Sequence, residues 1–284
     1  NFGHKCLVMK VGDDQQLRRP HPTAQAFFDT LDSNKVSKNG SEFVQKRLRS
    51  LGWRSRYSQD KEYPIHMLQN KVHFSVQQIQ RGEIEGTYGT GATVWPASIV
   101  LLKYLEKYPF KVSHKSVVDL GAGTGVTSIA AAVLGARKVI CTDGVESVVS
   151  LAQDNVMRAS EQLRGNEVHT HKDFVLDMNN ISVCYYWWGS GSLRETFDVI
   201  LVSDCVLPKL YPIEPLIEAL VELMKPDSIA ILAYEHRHYA DFHPAKKFQE
   251  LAALRGLNVH TVPMSELNPV YSLDDIEIWE VTRC

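Results

Sequence analysis

The feature that most constrains the fold of this chain is an apolar segment that runs into a glycine-rich turn and then into a helical pattern. The segment is VVDLGAGTGVTSIAAAVLG, residues 117–135. Gly121, Gly123 and Gly125 allow the backbone to turn sharply and to approach a bound molecule closely. The turn opens a helix, whose first N–H groups suit a negative or polar ligand. The spacing is GxGxG rather than the GxGxxG of dinucleotide sites, and by itself it also fits a tight turn without a ligand.

A second apolar segment, residues 139–143, ends in an acidic residue. This residue, Asp143, follows Gly121 by 22 residues, close to the roughly 20-residue offset at which an acid binds ribose hydroxyl groups in α/β nucleotide sites. A solvated loop aspartate or a helix N-cap would also explain Asp143. The glycine-rich turn and the acid together favour a nucleotide-type cofactor.

Apolar strands and amphipathic helices alternate from residue 94 onwards. Strands are predicted at 117–120, 139–142, 181–187, 198–203 and 229–234. Helices are predicted at 94–107, 126–134, 146–159, 213–224 and 245–255. Continuous apolar strands separated by helices are typical of a parallel sheet that is buried on both faces. Two final strands, 257–264 and 275–282, have no helix between them, so we expect an α/β fold with a Rossmann-like, seven-stranded, mostly parallel sheet and an antiparallel edge strand.

The first 85 residues follow a different pattern. We predict an N-terminal extension over residues 1–85, followed by the main domain over residues 86–284. The extension contains a polar segment with prolines, a stretch with helical spacing and two strand-like stretches, at 1–40, 42–51, 63–68 and 72–79. We therefore expect it to be partly flexible and to contain a helix and a β-hairpin.

Composition and cysteine spacing argue against several classes of protein. Of the 284 residues, 44% are hydrophobic and 23% are charged, which suits a chain with a buried core. A net charge of −2 does not indicate a nucleic-acid-binding surface. No apolar run approaches the roughly 20 residues that cross a membrane, and the cysteines show no paired spacing. We expect a monomer in the cytoplasm, with the nucleus as the alternative, and neither a membrane nor a nucleic acid as partner.

The histidines do not indicate a metal site, because none lies in a ligand pattern such as HExxH. His236 and His238 follow a predicted strand, and we interpret them as structural. His169 and His171 lie in a stretch at 164–177 that we interpret as an insertion and a surface loop. We predict no bound metal.

The motifs of the main domain resemble those of class I S-adenosylmethionine (SAM)-dependent methyltransferases. VVDLGAGTG at 117–125 resembles the first motif of that class. Four further segments resemble one branch of it, the methyltransferase 16 family, whose characterised members are largely non-histone protein-lysine methyltransferases. These segments are TGATVWPASIVLLKYLE at 90–106, WWG at 187–189, SDC at 203–205 and YEHR at 234–237. The resemblance extends over about residues 86–284.

The resemblance implies a cofactor-binding role for eight residues: Trp95, Asp119, Gly121, Ala122, Gly123, Asp143, Trp188 and Ser203. Asp143 would hold the ribose hydroxyl groups, and Trp188 would pack on the adenine. Trp95 would close over the cofactor near its methionine end. Taken separately, either tryptophan would also fit ordinary packing in a core.

Asp204 follows the fourth predicted strand of the domain, and ligands of open α/β sheets bind at the carboxyl ends of the strands, so we expect the acceptor to bind near Asp204. The family commonly has an aromatic residue three positions after this acid, where this chain has Leu207. Tyr211, one helical turn later, is a possible substitute. We predict that Asp204 orients an acceptor amine with Tyr211 beside it. Glu235 is a further catalytic candidate, and its alternative is a structural pairing with Arg237.

We therefore predict a SAM-dependent methyltransferase that methylates lysine side chains of a non-histone protein. Two alternatives stay open, namely a methyltransferase that acts on RNA or a small molecule, and a SAM-binding module without turnover. The intact glycine-rich turn and its acid argue against the module, and the lack of an NPPY-type motif argues against nucleic acid. The fold does not select the substrate.

Overall fold

The computed structural model describes residues 52–79, 89–164, 178–208, 210–237, 239–240 and 242–284. Several predictions lie outside these described residues: the polar segment at 1–40, the helix at 42–51, nearly all of the insertion at 164–177 with its two histidines, and His238.

The first two strands of the described chain form a β-hairpin, which confirms the predicted pair of strands. β1 (Glu62–Met67) pairs antiparallel with β2 (Val72–Gln77). Leu68, Gln69 and Asn70 reverse the chain between them with φ angles of 50°, 55° and 66°. Buried and more exposed side chains alternate along both strands, which is the period of a strand with one face against a core.

Seven strands and five α-helices then follow in the described chain. Their order is α1 (Pro96–Lys107), β3 (Ser116–Leu120), α2 (Val126–Val133), β4 (Lys138–Asp143), α3 (Glu146–Leu163), β5 (Ile181–Tyr185), β6 (Phe197–Ser203), α4 (Ile213–Leu223), β7 (Met224–Glu235), α5 (Pro244–Leu254), β8 (Leu257–Thr261) and β9 (Ile276–Arg283). The largest difference from prediction is the start of β7. Helix α4 runs directly into this strand, where Met224 pairs with Phe197 before the register shifts.

The seven strands form one sheet in the order β5-β4-β3-β6-β7-β9-β8. Neighbours from β5 to β7 are parallel, and β9 is antiparallel to both β7 and β8. The predicted seven-stranded, mostly parallel, Rossmann-like sheet is confirmed. The antiparallel pair lies at one edge as predicted, and the reversed strand β9 is the inner member of that pair. The strand order changes direction between β3 and β6, and ligands of open α/β sheets bind at such a point.

The hairpin shares its core with the sheet. Ile65, Met67 and Phe74 belong to the same cluster of buried side chains as residues of α1, α2 and β3. The predicted boundary between residues 85 and 86 stays a prediction, but β1 and β2 pack directly on the domain that follows it. Among the described residues, no helix has the length and apolar content needed to cross a membrane.

Phe74→Ala should lower the midpoint of the main unfolding transition. Phe74 is 4% exposed, and truncation of a buried phenylalanine costs about 3–5 kcal/mol of unfolding free energy. His73→Ala, on the exposed face of the same strand, is the control and should change the midpoint little. Thermal unfolding followed by circular dichroism measures both variants. A main transition that is unchanged in Phe74→Ala would show that the hairpin folds separately.

Candidate active site

A cavity of about 320 Å³ lies at the carboxyl ends of the parallel strands. Its walls come from residues that follow β3, β4, β5 and β6, together with the segments 90–98 and 207–215. This is the switch point of the sheet, where the connections from β3 and β6 leave in opposite directions.

Nine of the eleven predicted site residues line this one cavity: Trp95, Gly121, Ala122, Gly123, Asp143, Trp188, Ser203, Asp204 and Tyr211. Asp119 and Glu235 are not part of its lining. The structure therefore brings seven of the eight predicted cofactor residues and two of the three predicted catalytic residues to one place, although the sequence separates them widely.

The glycine-rich loop after β3 leaves no space for a side chain at two of its glycines. Gly121, Gly123 and Gly125 have φ angles of 65°, 57° and 79°, a region that favours glycine. A Cβ on Gly123 would lie 2.8 Å from the carbonyl oxygen of Gly91, and one on Gly121 would lie 2.8 Å from Sγ of Cys205. Two features therefore favour glycine at positions 121 and 123: the left-handed backbone conformation, and the close contact with two other segments of the chain.

Asp119 lies beneath this loop and is fully buried. Thr127 and Ser128, in the first turn of α2, donate hydrogen bonds to its Oδ2 at 2.5 and 2.7 Å. Its Oδ1 has no hydrogen-bond partner within the described part of the chain. Burial raises the pKa of Asp119 to about 6, although the two hydroxyl groups act to lower it. Asp119 thus joins β3 to α2, and its predicted contact with a cofactor stays a prediction.

Asp143 ends β4 and supports the same loop from the other side. The backbone N–H of Gly123 donates to its Oδ2 at 3.2 Å, and that of Val145 donates to its Oδ1 at 3.1 Å. Burial raises the pKa of Asp143, and these N–H groups act to lower it. A carboxylate oxygen can accept more than one hydrogen bond. Asp143 therefore retains acceptor capacity toward the cavity.

Aromatic side chains form much of the remaining wall. Trp188 and Tyr211 pack edge to face, with ring centroids 5.8 Å apart. The hydroxyl groups of Tyr211 and Thr90 form a hydrogen bond of 2.5 Å. The indole N–H of Trp95 donates to the carbonyl of Thr90 at 2.9 Å. Because both tryptophans line the cavity and are half-buried, their rings are available to a ligand as well as to the core.

Asp204 follows β6 and is held by an arginine. Its φ of 57° is left-handed, which is uncommon for a residue with a side chain. Arg237 binds both carboxylate oxygens, Nη1 to Oδ1 at 2.7 Å and Nη2 to Oδ2 at 2.6 Å. Burial raises the pKa of Asp204, whereas Arg237 acts to lower it. Such a bidentate pair fixes the orientation of the carboxylate.

Glu235 belongs to an ion-pair network behind this pair. It binds Arg54 and lies 3.7 Å from Arg237, and Arg54 also binds Asp275 at 2.7 Å. The alternative interpretation of Glu235, a pairing with Arg237, thus matches its position. A catalytic role for Glu235 stays a prediction, and it would have to act from outside the cavity lining.

Sequence reasoning missed several residues of the cavity wall. Ser98 donates to or accepts from Ser203, with 2.9 Å between their hydroxyl oxygens. Thr90 anchors Tyr211, and Leu207 lines the cavity at the position where an aromatic residue was expected. Ser98 follows Trp95 by less than one turn of α1 and was detectable from that spacing. Thr90 lies in an irregular segment, where no pattern indicates a contact with a residue so distant in sequence.

Groups of three or more His, Cys, Asp or Glu side chains suited to a metal ion are absent from the described ranges. His236 lies 2.9 Å from a carboxylate oxygen of Glu277, which fits its interpretation as a structural residue.

Comparisons with known proteins agree with the geometry. A family model described as lysine methyltransferase matches residues 75–251, more than half of the chain. Protein N-lysine methyltransferase METTL21A of Xenopus tropicalis is 32% identical over 159 residues, which cover 54% of this chain and 64% of that protein. Protein-lysine methyltransferase METTL21E of Mus musculus is 31% identical over 194 residues, which cover 66% of this chain and 72% of that protein.

A solved structure of the glycopeptide N-methyltransferase MtfA complexed with sinefungin is also similar. The TM-score is 0.50 at 14% sequence identity, over 73% of this chain and all of that chain (100%). This similarity shows a shared fold.

The residues of the cavity fit SAM, the cofactor of class I methyltransferases. The loop brings main chain to the cavity where side chains have no room, Asp143 retains acceptor capacity for hydroxyl groups, and Trp188 offers an aromatic face. Asp119 precedes the loop as a buried residue of β3 and lies outside the cavity lining, so it supports the site without being shown to contact the cofactor. The predicted family and cofactor are thereby confirmed. The chain belongs to the lysine methyltransferase family, and it is a SAM-dependent methyltransferase.

Proposed function

We propose that this protein transfers a methyl group from SAM to the side-chain amine of a lysine in another, non-histone protein. The observation that carries the proposal is the continuity of one cavity from the glycine-rich loop and Asp143 to Asp204 and Tyr211. The two similar proteins from Xenopus tropicalis and Mus musculus are both named as protein-lysine methyltransferases, which supports the choice of acceptor.

The cofactor would be held mainly at the ends of β3, β4 and β5. Asp143 would accept hydrogen bonds from the ribose hydroxyl groups, and Trp188 would pack on the adenine. The backbone of 121–123 and the ring of Trp95 would line the methionine end, with Ser203 at the floor. When bound, SAM supplies an electrophilic methyl group on a positively charged sulfur.

The acceptor would enter between Tyr211, Leu207 and Leu210. A lysine has an aliphatic stem that suits these walls, but its amine has an ordinary pKa near ~10.4 and must be neutral to react. Removal from water in an apolar cavity lowers the pKa of an ammonium group, so its proton is released to solvent. The protein need not supply a covalent nucleophile, because alignment of the amine and exclusion of water reduce the barrier.

Asp204 would orient the amine without holding it in the charged form. An isolated carboxylate would favour the ammonium and raise its pKa. Arg237 neutralises the carboxylate of Asp204 through two hydrogen bonds, while each oxygen still has a lone pair for an amine hydrogen. The pair would therefore position the acceptor with little stabilisation of its protonated state.

Incubation of the purified chain with radiolabelled SAM and a cell lysate tests the acceptor class. We expect label that is sensitive to protease and resistant to RNase, with mass spectrometry placing the methyl group on lysine. Label confined to RNA, to small molecules, or to histidine or arginine would contradict the lysine proposal. The monomeric state and the location in the cytoplasm stay predictions.

Asp143→Ala should weaken SAM binding by about 10- to 150-fold, measured by calorimetry. Loss of hydrogen bonds to a charged group costs about 1.5–3 kcal/mol, which corresponds to that range. Glu146→Ala is the control, because it removes an exposed acid from the first turn of α3, three residues away. Equal affinities for SAM in Asp143→Ala and the wild type would remove Asp143 from the cofactor site.

Asp204→Asn should lower turnover by about 100-fold, because small misplacements of a reacting group cost that much. The dissociation constant for SAM should stay within about threefold, since the role of Asp204 is realised at the acceptor. Asp275→Asn is the control: it removes one negative charge from the same ion-pair network but lies outside the cavity lining. Thermal unfolding identifies loss of stability. Normal turnover in Asp204→Asn would exclude Asp204 from orienting the amine.

A further inference from the structure

A buried asparagine connects the hairpin to the glycine-rich loop. Asn155, on α3, is fully buried. Its Nδ2 donates to the carbonyl groups of Thr124 at 3.0 Å and Gln77 at 3.1 Å, and its Oδ1 accepts the N–H of Gln77 at 2.6 Å. The amide thus pairs with both backbone groups of Gln77 at the end of β2, and its second donor reaches the loop that lines the cavity.

The next residue of the hairpin holds a second part of the cavity wall. The side chain of Gln78 is buried, and its Oε1 accepts the N–H of Val94 at 2.8 Å. Its Nε2 donates to the carbonyl groups of Tyr57 and Asp60 at 2.9 and 3.0 Å. Gln78 therefore uses both ends of its amide to join the start of the described chain to the segment before α1.

That segment, 90–95, closes the cavity over the glycine-rich loop. The N–H of Ile79 donates to the carbonyl of Ala92 at 3.0 Å, which continues the attachment that Gln78 begins. The carbonyl of Gly91 then lies directly against Gly123. The last residue of β2 and the two residues that follow it thus attach to both sides of the cavity, the first of them through Asn155.

We propose that Asn155 and Gln78 are positioning residues for the cofactor. Through them, the β1–β2 hairpin controls SAM affinity by fixing the position of the glycine-rich loop relative to the 90–95 segment. The inference rests on the proposed binding of SAM between these two walls. The apolar face of the hairpin lies in the shared core, so the hairpin has packing contacts besides the bonds of the two amides. Buried amides with every donor used fix one relative position of the segments that they join.

Asn155→Leu tests the proposal, because leucine has a similar size and removes all three hydrogen bonds. We expect the dissociation constant for SAM, measured by calorimetry well below the unfolding midpoint, to rise at least tenfold. Hydrogen exchange followed by mass spectrometry should become faster in peptides that contain 90–95 and 121–125. Gln162→Leu is the matched control. Gln162 lies two turns further along α3 and accepts the N–H of Ser75 in the same strand at 2.7 Å, so its loss should change SAM affinity less than twofold.

A second control separates positioning from stability. Phe74→Ala weakens the packing of the hairpin but keeps both amides, so it should lower the unfolding midpoint while SAM affinity changes less than threefold. If Asn155→Leu does not fold, Gln78→Met gives the decisive measurement, with the same tenfold loss expected.

Two results would overturn the proposal: wild-type affinity in the folded variant, or an equal loss of affinity in Phe74→Ala. A wild-type protein that gave no calorimetric signal with SAM would instead contradict the cofactor site itself, so the two failures are distinguishable.

Discussion

The close contact between the glycine-rich loop and the segment before α1 is the constraint on which the site depends. The carbonyl of Gly91 occupies the space that a side chain on Gly123 would need. Main chain therefore meets main chain at the cavity, and small shifts of either segment change the space left for a ligand. The surrounding structure restricts such shifts. Asp119 joins the two elements that flank the loop, β3 and α2, Asp143 accepts the N–H of Gly123, and the residues after β2 hold the opposing segment.

Charge is distributed unevenly around the cavity. At the end near the loop, Asp119 and Asp143 are acids without a cationic side chain bonded to either carboxylate among the described residues. At the other end, Asp204 is neutralised by Arg237, which is itself backed by Glu235. A positively charged cofactor and an amine that must lose its charge make opposite electrostatic demands. In the proposed function, the cofactor and the acceptor would each bind at the end of the cavity that meets its own demand.

The alternation of apolar strands with helices predicted the sheet, because such strands are typical of a parallel sheet that is buried on both faces. The structure agrees, since β3 is buried at every position. The glycines and Asp143 were predictable because their roles require particular residue types at short spacing. The partner of Asp204 was not, since Arg237 lies 33 residues away and charge complementarity carries no sequence pattern. Asn155 was missed because the backbone groups that it binds lie 31 and 78 residues away along the chain. The hairpin was assigned to an extension because alternation identifies a buried face without identifying what covers it.

The position of β9 has a consequence for biosynthesis. In the described sheet, β8 is an edge strand that pairs with β9, yet β9 emerges from the ribosome after it. Until then β7 exposes an open edge, and Trp279, which is fully buried in the finished fold, cannot yet cover it. Open strand edges pair readily with other chains. Between synthesis of β7 and arrival of β9, the nascent protein therefore carries an open strand edge that needs protection from aggregation.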